Sequence, residues 1–222
     1  MLFRLLFLLF AILASQTTGA QSQFSFIPGA YYNGSLSREY ASGFGGVLGL
    51  EYMPRPDHFF ALEARIRYGI YLFNDGTSWR ENNDGSWEPP IRENARLEYS
   101  LFSPQIGIVP KLYYHFDEDL SVFLETELTE GLIAGRFKYG GTPYTEKSFT
   151  EPIFYYSIVG GFRIKGEEKK DWSVILSAGY SSLNFKKTIE KKQPRGYQGE
   201  TPNQEAVIMI NIIFKIPLNK RF

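Results

Sequence analysis

The sequence predicts an all-β fold, an eight-stranded antiparallel up-and-down transmembrane β-barrel preceded by a cleaved signal peptide. Three observations carry this expectation. The chain opens with an export-type leader, eight extended segments follow that alternate apolar and polar residues, and the connections between them alternate in length. Composition agrees: 15 Tyr, 19 Phe and 3 Trp make 17% of the chain, beside 21 Gly. Aromatics and glycines together favour strands and close inter-strand packing over helices.

The leader has three parts. Met1-Leu2-Phe3-Arg4 supplies a positive start, Leu5 to Leu13 is an unbroken apolar run, and Ala14-Ser15-Gln16-Thr17-Thr18-Gly19-Ala20 is polar and small. Thr18 and Ala20 stand at the −3 and −1 positions of a cleavage site before Gln21, the layout of a secretory signal peptide. A permanent anchor would need about 20 apolar residues, and this run is too short. Residues 1–20 are therefore expected as signal peptide and 21–222 as one barrel. The chain contains no cysteine, which excludes disulfides, thiolate metal sites, cysteine nucleophiles and a lipid anchor on an N-terminal cysteine. Lys plus Arg equals Asp plus Glu at 24 each, so nothing suggests a nucleic-acid partner, which would need a basic patch.

Beyond residue 20 no segment has a helical period, and no run reaches about 18 apolar residues. The extended segments fall at residues 24–34, 41–53, 58–73, 95–116, 120–139, 152–165, 172–187 and 204–218. Alternation is clearest in the third. There His58, Phe60, Leu62, Ala64, Ile66, Tyr68, Ile70 and Leu72 share one parity, against Ala61, Glu63, Arg65, Arg67 and Gly69. Strand side chains point to opposite faces with period two, so one face is apolar and the other stacks three charges. The fourth sets Ile106, Ile108, Leu112, Tyr114 and Phe116 against Gln105, Gly107 and Lys111; the fifth sets Val122, Leu124 and Leu128 against Ser121, Glu125, Glu127 and Thr129. In the seventh, Trp172, Val174, Leu176, Ala178 and Tyr180 oppose Ser173, Ser177, Gly179 and Ser181. In the last, Ala206, Ile208, Ile210, Ile212, Phe214 and Ile216 oppose Asn211 and Lys215.

Short connections at Pro54-Arg55-Pro56-Asp57, Asp117-Glu118-Asp119 and 166–171 alternate with mostly longer polar ones at 35–40, 74–94, 140–151 and 188–203. Turn formers fill the short ones. Such alternation belongs to a meander with loops elaborated at one end, as in outer-membrane barrels with short periplasmic turns.

A soluble, lipocalin-like ligand-binding barrel would use the same alternation with the faces exchanged. Three features favour the membrane. The charged parity recurs in several strands as Glu51, Glu63, Arg65, Arg67, Lys111, Glu125, Glu127, Arg163 and Lys215, four acids and five bases able to pair in a narrow lumen. The apolar faces are long enough for membrane strands, which need about 9–11 residues. Aromatics also gather at both ends of the strands. Phe24, Phe26, Tyr52, Phe60, Tyr114, Phe116, Phe162, Trp172 and Phe214 stand towards the short turns, and Tyr68, Tyr99, Tyr156 and Tyr180 towards the long loops. Two girdles flanking an aliphatic band mark a membrane interface.

With the signal Met1–Ala20, the eight amphipathic strands, the glycine-rich stretch from Gly43 to Tyr52 and the terminal Phe222, the mature chain resembles the small outer-membrane β-barrel superfamily, the OmpA/OmpX-like and "porin-family" proteins. The resemblance implies residence in a Gram-negative outer membrane, among lipid and lipopolysaccharide, and handling by the barrel-assembly machinery. Asn219-Lys220-Arg221 separates Phe222 from the last apolar strand, which departs from the family's terminal signal. Phe214 and Ile216 are then expected to serve instead.

Chemistry is sparse. An eight-stranded interior is just wide enough for side chains, so the charges are expected to fill the lumen as a structural network rather than line a pore. His58 and His115 sit beside short turns, and His115 is followed by Phe116-Asp117 with no serine at a neighbouring same-face position. No nucleophile, base and orienting acid assemble within reach, so no catalytic residue is assigned. The alternative from another class remains a lipid-modifying or proteolytic barrel enzyme. Residues 74–94 hold two echoing stretches, Asp75-Gly76-Thr77-Ser78-Trp79 and Asp84-Gly85-Ser86-Trp87. Their glycines and acids lack EF-hand spacing, and neither metal nor cofactor is expected. Trp79 and Trp87 are candidates for binding a protein or glycan, or for packing across a hairpin above the membrane. Lys186-Lys187, Lys191-Lys192 and Arg195 form a basic stretch suited to lipopolysaccharide phosphates or to solvent. The expected role is structural or interactive, with recognition in the loops.

Overall fold

The structure, a computed structural model, describes residues 23–34, 42–55, 58–75, 80–81, 87–88, 97–139, 145–166, 172–185, 191 and 207–218. The expected leader, residues 1–20, lies outside them. The strands are β1 (Gln23–Gly34), β2 (Ser42–Met53), β3 (Phe60–Asp75), β4 (Arg80–Glu81), β5 (Trp87–Glu88), β6 (Leu97–His115), β7 (Leu120–Tyr139), β8 (Thr145–Lys165), β9 (Ser173–Ser181) and β10 (Val207–Pro217). Eight of them close into one barrel in the order β1-β10-β9-β8-β7-β6-β3-β2, every neighbour antiparallel. The remaining pair, β4 and β5, forms a two-stranded ribbon within the connection after β3.

The pairing registers determine the barrel's stagger. Lateral neighbours followed once round from Phe24 are Tyr52, Leu62, Pro110, Thr126, Ile158, Tyr180 and Ile208, and the path returns to β1 at Gly34, ten residues further on. A stagger of this size tilts the strands by about 40° and leaves an interior filled by side chains.

Among the described side chains, odd-numbered residues face inward in all eight barrel strands and even-numbered ones carry the outward parity, Tyr52 and Leu62 being buried on that side. The outer face is apolar: Phe44, Leu48, Ile66, Leu112, Leu124, Ile158, Leu176 and Ile212 are all exposed, Leu48 by 53% and Ile66 by 56%. Bands follow from the registers. Phe24, Phe60, Tyr114, Phe162, Trp172 and Phe214 lie towards the short turns, Tyr32, Tyr68, Tyr156 and Tyr180 stand near one level towards the long loops, and aliphatic side chains lie between. Of the aromatics expected in the upper girdle, Tyr99 carries the inward parity, and its side chain lies outside the described residues. Tyr32, Phe44 and Phe154 belong to that girdle and were not expected there. Charged inside and apolar outside is the reverse of a soluble barrel. It overturns the lipocalin-like alternative, whose lumen would carry the apolar parity. No helix among the described residues is long and apolar enough to cross a membrane, which says nothing of a barrel; in the closed sheet the strands pair with neighbours on both sides.

Three boundaries differ from expectation. The third strand begins at Phe60, because the His58 ring accepts a hydrogen bond from the Phe60 amide (3.1 Å) and holds a turn at 58–59. The sixth begins at Thr145 rather than 152, extending the β7–β8 hairpin to the Tyr139–Thr145 pair. Pro152 does not end it, because β9 stops at Ser181 opposite Ser157 and leaves β8 with a sheet neighbour on one side there, a place where proline is tolerated. The seventh ends at Ser181 rather than 187, the chain leaving the ladder after that residue.

The outer face generates a prediction. Leu48→Arg puts a charge near the middle of the apolar belt and should destabilise the barrel in lipid vesicles by about 2–4 kcal/mol. Guanidinium unfolding measures this; an unchanged midpoint would mean that Leu48 does not face hydrocarbon.

Candidate functional site

The lumen holds the chemistry. Charged side chains from β2, β3, β6, β7 and β10 meet inside it because their parity points there. Glu51, Glu63, Arg65, Arg67, Lys111, Glu125, Glu127 and Lys215 are all at most 3% exposed. Arg65 is the hub. Its guanidinium donates two bonds to Glu63 (2.6 and 2.9 Å), two to Glu125 (3.0 and 3.2 Å) and one to Glu127 (2.9 Å). Arg67 grips Glu127 through Nε and Nη2, the shortest contact 2.7 Å, and donates to Asn211 Oδ1 at 3.1 Å. Lys111 Nζ lies 2.5 Å from Glu63, 3.0 Å from Glu51 and 3.6 Å from Glu125. Lys215 Nζ lies 2.6 Å from the other oxygen of Glu51.

Each of the four carboxylates therefore meets two cations. The result is one chain of alternating charge, from Lys215 on β10 through Glu51 to Lys111, across Glu63 and Glu125 side by side to Arg65, and through Glu127 to Arg67, which returns to β10 at Asn211. Asn211 in turn donates to Ser177 Oγ on β9 at 3.0 Å. Burying unpaired charge is prohibitive, and pairing with further hydrogen bonds is what allows it here. Tyr113 and Thr129 supply such bonds to Glu51 and Glu127, each at 3.1 Å.

Inward glycines make room for these long side chains. A Cβ at Gly49 would collide with Glu63 Oε1, and one at Gly107 would stand 2.9 Å from Glu127 Oε1 and 3.1 Å from Thr129 Oγ1. The glycines of the second strand thus have different reasons: a Cβ at Gly49 would meet Glu63, one at Gly43 the Tyr71 ring and one at Gly45 the Tyr68 carbonyl.

The lumen is not wholly polar. Ile27, Tyr31, Val47, Met53, Ala61, Tyr113, Phe123, Ile175 and Ile213 form a buried apolar cluster alongside the charges. The sequence hid this half of the core, because β1, β9 and β10 carry apolar residues at both parities. Towards the long-loop end, Tyr71 OH receives a bond from Asn33 (3.2 Å) and contacts Tyr31 OH (3.3 Å), while Tyr155 donates to Gln105 (2.5 Å).

Arg163, grouped with the lumen charges by parity, sits nearer the short turns. It donates to Ser121 Oγ at 3.1 Å and stacks over Tyr113 at 5.5 Å. Here one expectation is corrected. Ser121 lies directly opposite His115 across the β6–β7 turn, with Oγ 2.7 Å from His115 Nδ1. A serine does stand at a neighbouring same-face position, reached by hairpin pairing rather than along one strand. The tight Asp117-Glu118-Asp119 turn was the available signal. Ser121 is fully buried, and His115 Nε2 faces the carbonyl of His58 at 3.4 Å. Among the described residues no group of three or more His, Cys, Asp or Glu could hold a metal. Trp87 pairs with Glu81 in the β4–β5 ribbon; Trp79 lies outside the described residues.

No protein-family model matches the chain, and no curated protein matches it. Among solved structures it is similar to Ail, the attachment invasion locus protein of Yersinia pestis, crystallised in complex with the heparin analogue sucrose octasulfate. That similarity has 10% identity over 87% of this chain and 96% of that one, with a TM-score of 0.43. It is also similar to a major outer membrane protein from Thermus thermophilus, at 10% identity over 89% of this chain and 99% of that one, with a TM-score of 0.47.

Two substitutions probe the lumen. Arg65→Met leaves three buried carboxylates with one cation each and should cost about 3–5 kcal/mol, as expected when one partner of a buried ion pair is removed. Gly107→Ala overpacks the same layer and should cost about 1–3 kcal/mol. Unfolding in detergent, followed by the loss of heat-modifiable gel migration, reads both.

Proposed function

We propose that this chain is an integral outer-membrane β-barrel protein with a structural or interaction role, recognising its partner at the long-loop end. The observation that carries the proposal is the distribution of side chains. An apolar belt with an aromatic girdle at each edge surrounds a lumen packed with paired charges. Such a surface suits lipid, and a lumen so filled leaves no aqueous path, since water-filled channels belong to barrels of about 16 strands.

Strand length supports the assignment of the recognition end. β3, β6, β7 and β8 run for 16, 19, 20 and 21 residues, beyond the 9–11 or so that a membrane crossing requires. Their extra length rises on the long-loop side, and the β4–β5 ribbon belongs to the same end. In this reading residues 1–20 are removed on export, and both termini face the periplasm. The barrel-assembly machinery inserts the chain among lipid and lipopolysaccharide. Trp79 and Trp87 are the leading contacts for a protein or glycan, and the charge network is scaffold rather than catalyst.

The rival class is a lipid-modifying or proteolytic enzyme, for which Ser121 beside His115 is the one favourable observation. Replacing His58 and His115 separately should leave lipid A and protease profiles unchanged; a lost product on His115→Ala would establish the enzyme instead. Signal-free protein should need detergent to stay in solution, and planar bilayers should show only leak. A steady unitary conductance would remove the filled-lumen reading. Trp79→Ala with Trp87→Ala should abolish surface binding while the barrel stays folded.

A further inference from the structure

The lumen's charged layer lies at mid-height, and a second closure of different chemistry stands above it. β9 leaves the ladder at Ser181, yet the chain does not swing outward into solvent. Ser182 clamps to β8 twice: its amide donates to Tyr156 O at 2.8 Å, and its Oγ accepts from the Tyr156 amide at 2.9 Å. The Leu183 amide turns back to Ser181 Oγ at 3.3 Å. Leu183 is then 2% exposed and Phe185 is fully buried. The Phe185 ring meets Tyr71 edge-on, with centroids 4.6 Å apart. Tyr71 faces inward and is tied to Asn33 and Tyr31 across the barrel.

We infer that Ser182–Phe185 is a plug, made by the chain as it leaves β9, which seals the long-loop end of the lumen independently of the charged layer. The two closures differ in kind. The charges hold the strands to one another and cannot leave without opening the barrel. Among the described contacts, a two-bond clamp at Ser182 ties the plug to the wall, and Leu183 and Phe185 are buried. Contacts of that kind, outside the ladder, belong to the parts of a protein that open locally. Beneath it, Ser157 Oγ and Asn33 Oδ1 are buried with no hydrogen-bond partner. Opening the plug would expose polar groups ready to take water or a polar ligand group, while the barrel below stays shut. The inference needs only the closed barrel, not the membrane or recognition role proposed above.

The chain has no cysteine, so a single introduced thiol is an unambiguous reporter. The substitution Ser157→Cys places it beneath the plug, and Ser173→Cys places it at the short-turn end; both serines are buried and face the lumen. The probe is a charged maleimide applied to folded protein in detergent micelles, with and without Leu183→Ala and Phe185→Ala. Removing the two plug side chains should speed labelling at position 157 on the order of tenfold or more, because the packing that closes the segment is lost. Labelling at position 173 should not change. Equal rates at 157 with and without the plug residues would overturn the inference, and so would a parallel rise at both positions, which would signify general loosening. Heat-modifiable migration of each variant confirms that the barrel remains folded.

Discussion

Closure of the backbone is the constraint on which the rest of this structure depends. Eight antiparallel strands with a stagger of ten residues leave no unpaired edge through the apolar belt, and unpaired backbone groups in hydrocarbon would each cost several kcal/mol. Once the stagger is set, so is the interior width. The odd-numbered side chains then have to fill that width, and the even-numbered ones have to meet whatever surrounds the barrel.

The filling is divided by chemistry. Apolar side chains from β1, β2 and β9 pack beside a chain of alternating charge drawn mainly from β2, β3, β6 and β7. Arg65 is central because its planar fork can satisfy three carboxylates at once. Lys111 also meets three carboxylates, Glu51, Glu63 and Glu125, as a compact charge without the planar fork. Since the chain starts at Lys215 on β10, crosses to β6, and returns to β10 through the Arg67–Asn211 hydrogen bond, it braces opposite walls of the barrel. Glycines 49 and 107 belong to the same design, as voids that the charged side chains occupy.

The lumen, the outer face and the long-loop end divide by chemistry. Paired charges and apolar side chains fill the lumen, and apolar side chains cover the outer face. At the long-loop end β3, β6, β7 and β8 outgrow the belt, and the chain after β9 folds back over the mouth. The histidines illustrate the same division. His115 and Ser121 are near enough for chemistry, but burial and the His58 carbonyl bind them into the turn region.

The sequence by itself determined the strand count, the parity of each face and the identity of the lumen charges, because a strand's period of two is written directly in the order of residues. The Glu63-Arg65-Arg67 ladder was legible for that reason, and so were the short turns. The tertiary structure alone decided which parity is inside, since lipocalin-like and membrane barrels share one alternation. It alone decided the partners too: Arg65 with Glu125, Lys215 with Glu51 and His115 with Ser121 meet through register, a property of pairs of strands that no single strand encodes. The inward turn of Leu183 and Phe185 stayed hidden for a related reason. Their alternation continues that of β9, and only the ending of the neighbouring ladder sends them over the mouth.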